Sequence, residues 1–419
     1  MLDASVKVTA ARKAMRHIEF RETEGRGAGF PALVLLLALV TLAGVLAGHH
    51  MDVEGHHVTG MNNRIVWGLP HVFAVFLIVA ASGALNVASL SSVFRRPAYE
   101  PLARLSAVLA IALLAGGLTV LVLDLGRPDR LVVAMTHYNF SSIFAWNILL
   151  YTGFMAVVVV YLWIHMERRM QRHVRWAGVV AFAWRIVLTT GTGCIFGFLV
   201  ARQAYDAAIM APMFVAMSLS LGLAVFILVL LAAASMTARP LDEGLLRRLA
   251  RLQALFVSVV LYFVVARHLA NLYVAEHGAV ERFLLLDGGQ YPVVFWVGQI
   301  LAGTLAPLAI LWWWRPRSRG WTAAAAALVV VGGLSQLYGI IIGGQAAPLD
   351  IFPGKEVIEG ALIAGEPASY AARLPELLLG LGGAAVSGLI LVVAVRVLRI
   401  LPERLDEAGA DDTGNVYGR

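Results

Sequence analysis

The stretch that decides the fold begins with W-G-L-P-H-V-F (residues 67–73). It passes through D-L-G-R-P-D-R (residues 124–130) and reaches S-S-I-F-A-W-N (residues 141–147). Between these polar punctuation marks lie two apolar runs, 68–94 and 102–124. Each is long enough to cross a hydrocarbon core, which takes about 20 residues of helix. Working outward, eight further runs of this kind appear: 30–48, 142–165, 176–201, 210–235, 247–274, 291–314, 321–343 and 374–400. Backbone groups in lipid must be bonded within their own segment, so runs of this length are helices. The alternating polarity of barrel strands is absent. The reading is an all-α polytopic membrane protein with ten transmembrane helices.

Composition agrees. The chain has 419 residues, 60% hydrophobic and 14% charged, against about 25% charged in a soluble domain. The formal net charge of +7 is therefore a matter of membrane topology rather than of nucleic-acid binding. With ten spans, 24 of the 33 Lys and Arg residues fall on the side that holds both termini. Seven (Arg64, Arg127, Arg130, Arg202, Arg282, Lys355 and Arg373) fall on the other. Arg185 and Arg267 lie within spans. Such a bias puts both termini in the cytoplasm and the long loops outside. Residues 1–29 read as a basic cytoplasmic tail, 30–400 as the membrane domain and 401–419 as a cytoplasmic tail. Cys194 is the only cysteine, so no Cys-ligated iron–sulfur cluster or disulfide can form within the chain.

Polar residues inside spans are expensive and are candidates for function, with helix–helix bonding as the alternative. They concentrate toward the outer ends: His71, Asp124, Asn147, Tyr205, Arg267, His268, Gln299, Gln336, Gln345 and Glu376. Trp146 borders Asn147 at the same level. Arg185 is deeper, about 14 Å from the inner end by helical rise. A pore would need polar lining along its whole length. A shallow outer pocket with an apolar route suits a quinone instead: a polar ring, a long tail, and two protons to exchange with a titratable neighbour. His71 could bind such a ring, ligate haem or simply bond helices. Asp124 and Arg127 could pair to fold their turn, or serve as pocket wall and proton path. A secondary transporter and a di-haem cytochrome b are the other classes open at this point.

V-L-D-L-G-R-P (residues 122–128) followed by S-S-I-F-A-W-N resembles the NrfD/PsrC family of membrane subunits. W-G-L-P-H, F-W-V-G-Q (295–299), I-I-G-G-Q (341–345) and L-P-E (374–376) resemble it too. Ten spans are similar to the branch that holds HybB-, ActC- and DsrP-like subunits. The resemblance implies two four-helix bundles, spans two to five and six to nine, flanked by spans one and ten. It implies a quinone, menaquinone or ubiquinone, near the outer face, and no haem or metal in this chain. It also implies electron exchange with a periplasmic, ferredoxin-like iron–sulfur subunit, other subunits of a redox complex, and residence in a bacterial inner membrane. The resemblance maps a site histidine onto His71 and a site aspartate onto Asp124. Asn147, Tyr205 and Trp146 are the expected companions of His71 at the quinone. Asp124, Arg127, Arg185 and Glu376 are the expected proton path. Gln299 stands where relatives often carry an acid.

Overall fold

A computed structural model of the chain describes residues 20–21, 29–237, 239–313, 318–348 and 367–402. Most of the basic tail, the C-terminal residues beyond 402 and the loop residues Asp350, Lys355, Glu356, Glu359 and Glu366 lie outside the described residues.

Among the described residues, ten helices are long and apolar enough to span a membrane: α1 Gly29–Glu54, α2 Leu69–Ser92, α3 Pro97–Leu123, α4 Ile143–Met166 and α5 Arg168–Gly197. They continue with α6 Met210–Thr237, α7 Glu243–Tyr273, α8 Gln290–Trp312, α9 Arg319–Ala346 and α10 Leu374–Val397. Their number and order are those expected; their ends are set by chemistry. α1 outruns its apolar stretch because nothing breaks the hydrogen-bond ladder before Gly55, whose φ of 88° does. Asp242 caps α7, its carboxylate accepting from the N–H groups of Gly244 and Leu245 at 2.8 and 2.9 Å. Pro70 sits in the first turn of α2, where its missing N–H costs nothing.

Helices α2–α5 close one four-membered ring of contacts and α6–α9 a second. The rings meet where α2 packs on α6 and α9, and α5 on α6. α1 and α10 pack on each other, and α10 lies against α2 and α3, so both flanking helices stand beside the first ring. Lipid supplies no hydrophobic drive for helix pairing, so close backbone approach must supply dispersion instead. Glycine makes this possible at the crossing of α2 and α6. A Cβ on Gly83 would overlap the Ser218 carbonyl oxygen, and one on Gly222 would overlap the Ala84 nitrogen.

α2 is interrupted at Leu85. The cause is the hydroxyl of Ser106 on α3, inserted into the ladder. It donates to the Ala84 carbonyl (2.7 Å) and accepts from the Ala88 N–H (3.0 Å). The offset brings Asn86 to Arg185 of α5, whose Nη2 donates to Asn86 Oδ1 at 3.1 Å. A two-residue strand pair, β1 (Phe20–Arg21) with β2 (Leu401–Pro402), joins the two ends of the described chain on the face opposite the long loops.

Candidate functional site

The segment between α1 and α2 carries the first part of the deciding stretch, and three distant elements hold it. From α10, Glu376 accepts from Gly60 N–H (3.2 Å), Arg373 N–H (2.7 Å) and the Tyr370 hydroxyl (2.8 Å). The same hydroxyl accepts from Leu69 N–H at 2.7 Å, at the head of α2. From α9, Gln345 Oε1 accepts from Val66 and Trp67 N–H (2.9 and 3.1 Å). Its Nε2 donates to the Trp67 and Ile341 carbonyls (2.9 and 2.8 Å). Arg202, between α5 and α6, donates to the carbonyls of Gln345 (2.7 Å) and Arg64 (3.0 Å). Gly68 lets the chain lie this close, since a Cβ there would meet Glu376 Oε1 at 2.5 Å.

The clamp fixes His71, one turn further along. Its Nδ1 lies 2.8 Å from Oδ2 of Asp124, the residue that ends α3. The contact is close but off-axis for a hydrogen bond. The other oxygen, Oδ1, lies 3.6 Å from Nε2 of His56. The carboxylate is 1% exposed, while the two imidazoles are 22% and 34% exposed. Burial pushes the Asp124 pKa up, but contact with both histidines outweighs it, and the net shift is downward. Contact with Asp124 raises the pKa of His56 against a smaller opposing effect of burial. Gly126, with φ 65°, makes the D-L-G-R-P turn; a Cβ there would sit 3.2 Å from His56 Cε1.

Trp67 lies beside His71, ring centroids 6.0 Å apart and planes 29° apart. It also meets Phe144, Phe196 and Tyr205 at 6.0, 6.0 and 6.5 Å. Phe196 and Tyr205 are buried, whereas Phe144 is 44% exposed. The accessible face is therefore His71, Trp67 and Phe144: one imidazole edge beside flat apolar rings.

The expected site residues divide. His71 and Asp124 meet, and the Tyr205 ring backs the same aromatic group. The Tyr205 hydroxyl, however, donates to the Ile341 carbonyl at 2.6 Å. Asn147 bonds α4 to α5, its Nδ2 donating to Ile143 and Gly191 carbonyls; its buried Oδ1 has no partner among the described residues. Trp146 is half exposed, and its indole donates to the Phe140 carbonyl. Arg127 pairs with Asp129 at 3.7 Å rather than with Asp124, and both are largely exposed. Arg185 is buried 12 residues before the loop-side end of α5 at Gly197, with Nε and Nη1 unpartnered among the described residues. Glu376 belongs to the clamp. Reading the sequence alone misses His56, Trp67, Phe144 and Phe196 as parts of the site. For His56 the available signal is a histidine-rich turn, G-H-H-V (55–58), on the same loop side as the D-L-G-R-P turn.

Residues 57–348 match the family model for the polysulphide reductase NrfD. This chain belongs to the NrfD family. The match covers α2–α9, the two rings, and leaves α1 and α10 outside it. Among its relatives is an Hdr-like menaquinol oxidoreductase integral membrane subunit of Archaeoglobus fulgidus. It is 29% identical over 397 residues, covering 93% of this chain and 98% of the relative. A selenate reductase subunit of Mesobacillus selenatarsenatis is 23% identical, covering 66% and 73%. The protein NrfD of Escherichia coli is 25% identical, covering 67% and 95%.

This NrfD-family chain also has a second polar group, in the ring α6–α9. Glu281, fully buried in the α7–α8 connection, accepts from Asn271 (2.7 Å) and lies 2.5 Å from His268 Nδ1. Burial raises the Glu281 pKa, but His268, Asn271 and Arg267 together bring it below the ordinary value. Beside the pair is a cleft of about 410 Å³, counting its open mouth, lined in part by Arg267, His268, Tyr291, Gln299 and Gln336. Its walls include turns of π-helix in α8 and α9, a form enriched at functional sites.

Proposed function

We propose that this chain is the quinone-reactive membrane subunit of a redox complex, exchanging electrons between a membrane quinone and an iron–sulfur partner on the loop side. The observation that carries the reading is the buried Asp124 carboxylate against His71, beside the accessible ring of Trp67. The bias of basic residues supports long loops facing the periplasm of a bacterial inner membrane. The name of the Archaeoglobus relative, a menaquinol oxidoreductase subunit, supports the ligand class; the residues leave menaquinone and ubiquinone both open.

The residues fit a quinone headgroup. Flat apolar faces suit a planar ring, and the partly exposed Phe144 leaves one edge of the group open. With Nδ1 directed at Asp124, His71 Nε2 is the nitrogen left for a carbonyl or hydroxyl. A bound quinol supplies two electrons and two protons. His71 acts as general base at Nε2, and Asp124 stabilises the imidazolium as it forms. The same groups run in reverse to protonate a quinone. The clamp from Gln345 and Glu376 keeps the imidazole in place, as positioning requires.

The reading predicts that His71→Ala abolishes quinone-coupled turnover while the complex still assembles. Wild-type turnover in that variant rules it out. A second reading, a proton-translocating subunit, is favoured by the Glu281–His268 pair and its polar cleft. Proton flux through the subunit in vesicles without any redox partner is the measurement that decides for it.

A further inference from the structure

The buried carboxylate at the site faces a problem of access. The Asp124 side chain is 1% exposed and lies between the imidazoles of His71 and His56. His71 is turned toward the aromatic face. A proton on this pair has to leave through some group with one edge on Asp124 and another in water.

We propose that His56 is that group, a relay that carries protons between Asp124 and the loop-side water. This rests on the quinone reading above and assigns a role to a residue just before the family match, which begins at residue 57.

Three observations carry it. First, His56 and His71 approach opposite oxygens of one carboxylate, at 3.6 and 2.8 Å. Second, His56 is the more exposed of the two, at 34%. Third, its place is built. Gly55 turns the chain with φ 88°, and Thr59 Oγ1 donates to the His56 carbonyl at 2.6 Å. His56 Nε2 also lies 3.3 Å from the Asp124 carbonyl oxygen, and Gly126 leaves room for the ring. The charged groups facing His56 are Asp124 from α3, Asp52 from α1 and, across the carboxylate, His71 from α2.

As a quinol O–H bond breaks, His71 Nε2 gains the proton and its Nδ1 proton passes to Oδ2 of Asp124. The carboxyl group turns that proton to its Oδ1 side and yields it to His56 Nε2, and His56 gives its Nδ1 proton to water. Each imidazole is then protonated at Nε2 alone, and a turn of each ring restores the starting tautomer before the second proton follows. The two electrons go one at a time to a one-electron carrier of the partner subunit. Reduction uses the same path inward.

The test uses the whole complex in its native membranes, with a decyl-chain quinol and ferricyanide as acceptor. His56→Ala is expected to lose turnover about 100-fold, the lower range for a lost proton-transfer group. Added imidazole, entering the space left by the ring, should restore at least about tenfold. His56→Gln should lose as much and gain nothing from imidazole. Quinone extracted from each variant should equal that of wild type. Wild-type turnover in His56→Ala overturns the relay, as does a loss that imidazole does not relieve, or a loss of bound quinone. If the wild-type complex binds no quinone and His71→Ala is also fully active, the parent reading fails instead.

Discussion

Gln345 lies at the end of α9, far in sequence from His71, yet its amide makes four hydrogen bonds. Two are with Val66 and Trp67 N–H, one with the Trp67 carbonyl and one with the Ile341 carbonyl. Gln345→Ala removes all four. A neutral hydrogen bond contributes roughly 0.5–1.5 kcal/mol net, and a buried group left unpaired costs roughly 1–3 kcal/mol. Val66 is exposed and water can reach it, whereas Gln345 and Ile341 are buried. The expected cost is therefore about 2–4 kcal/mol, well below four full penalties. Most of it should fall on the 60–69 segment, because Arg202 and the Glu376–Tyr370 pair still hold its ends. Hydrogen exchange by mass spectrometry reads this directly. Amides of that segment should lose roughly 30- to 1,000-fold of protection, with α2 itself unaffected beyond its first turn. KM for a short-chain quinol should rise while complex assembly is retained. Gln345→Glu keeps the acceptor but sets a charged oxygen against two carbonyls, and should be no better than alanine. Unchanged exchange in 60–69 with an unchanged KM would refute the claim that the clamp positions His71.

Gly83→Leu should disrupt the α2–α6 crossing, because even its Cβ overlaps the backbone of Ser218. A loss of at least about 3 kcal/mol, seen as failure to recover folded complex in detergent, is expected. Arg185→Met should be neutral or stabilising in thermal melts by up to about 3 kcal/mol. A buried charge whose partners are an amide, Asn86, and the Phe182 ring at 4.8 Å is costly to keep; lost turnover with raised stability would mark Arg185 as functional. Two pH effects of opposite sign are expected in melting curves. The His56 pKa is raised, so its contribution is complete below the ordinary 6.5 and fades as pH rises through the folded value. The gap between wild type and His56→Gln should therefore close in alkaline buffer. The Asp124 pKa is lowered, so its contribution holds above the ordinary 3.8 and fades only as pH falls through the folded value.

The fold was legible because lipid leaves few options. Ten apolar runs of spanning length can only be helices, and the structure places a helix on every one. What the runs could not supply was the detail set by polar contacts. α1 continues to Glu54 because backbone bonding outlasts apolarity until Gly55. The break in α2 at Leu85 has no signal in α2 itself. It comes from Ser106 on α3, which reads as one more small residue in an apolar run. Helix ends and interruptions depend on partners that are remote in sequence.

The site was legible in part for a related reason. His71 and Asp124 stood out as ionisable groups at the mouths of apolar runs, and they meet. Gln345 and Glu376 stood out on the same ground, yet they act on backbone, holding the turn that presents Trp67 and His71. Expense alone marks a buried polar residue as important without telling a ligand contact from a brace. The distinction lies in what remains unpaired. Gln345 and Glu376 have their oxygens occupied by N–H and O–H donors of the same chain. Asn147 Oδ1 and both Asp124 oxygens are buried without a well-aligned hydrogen-bond donor among the described residues. Buried acceptors left in that state cost free energy unless charge, water or ligand compensates. At Asp124 the compensation comes from two imidazoles, groups that can hold a proton or release it. That sets Asp124 apart from Glu376, whose nearest partners are backbone amides and a tyrosine and which fastens a loop.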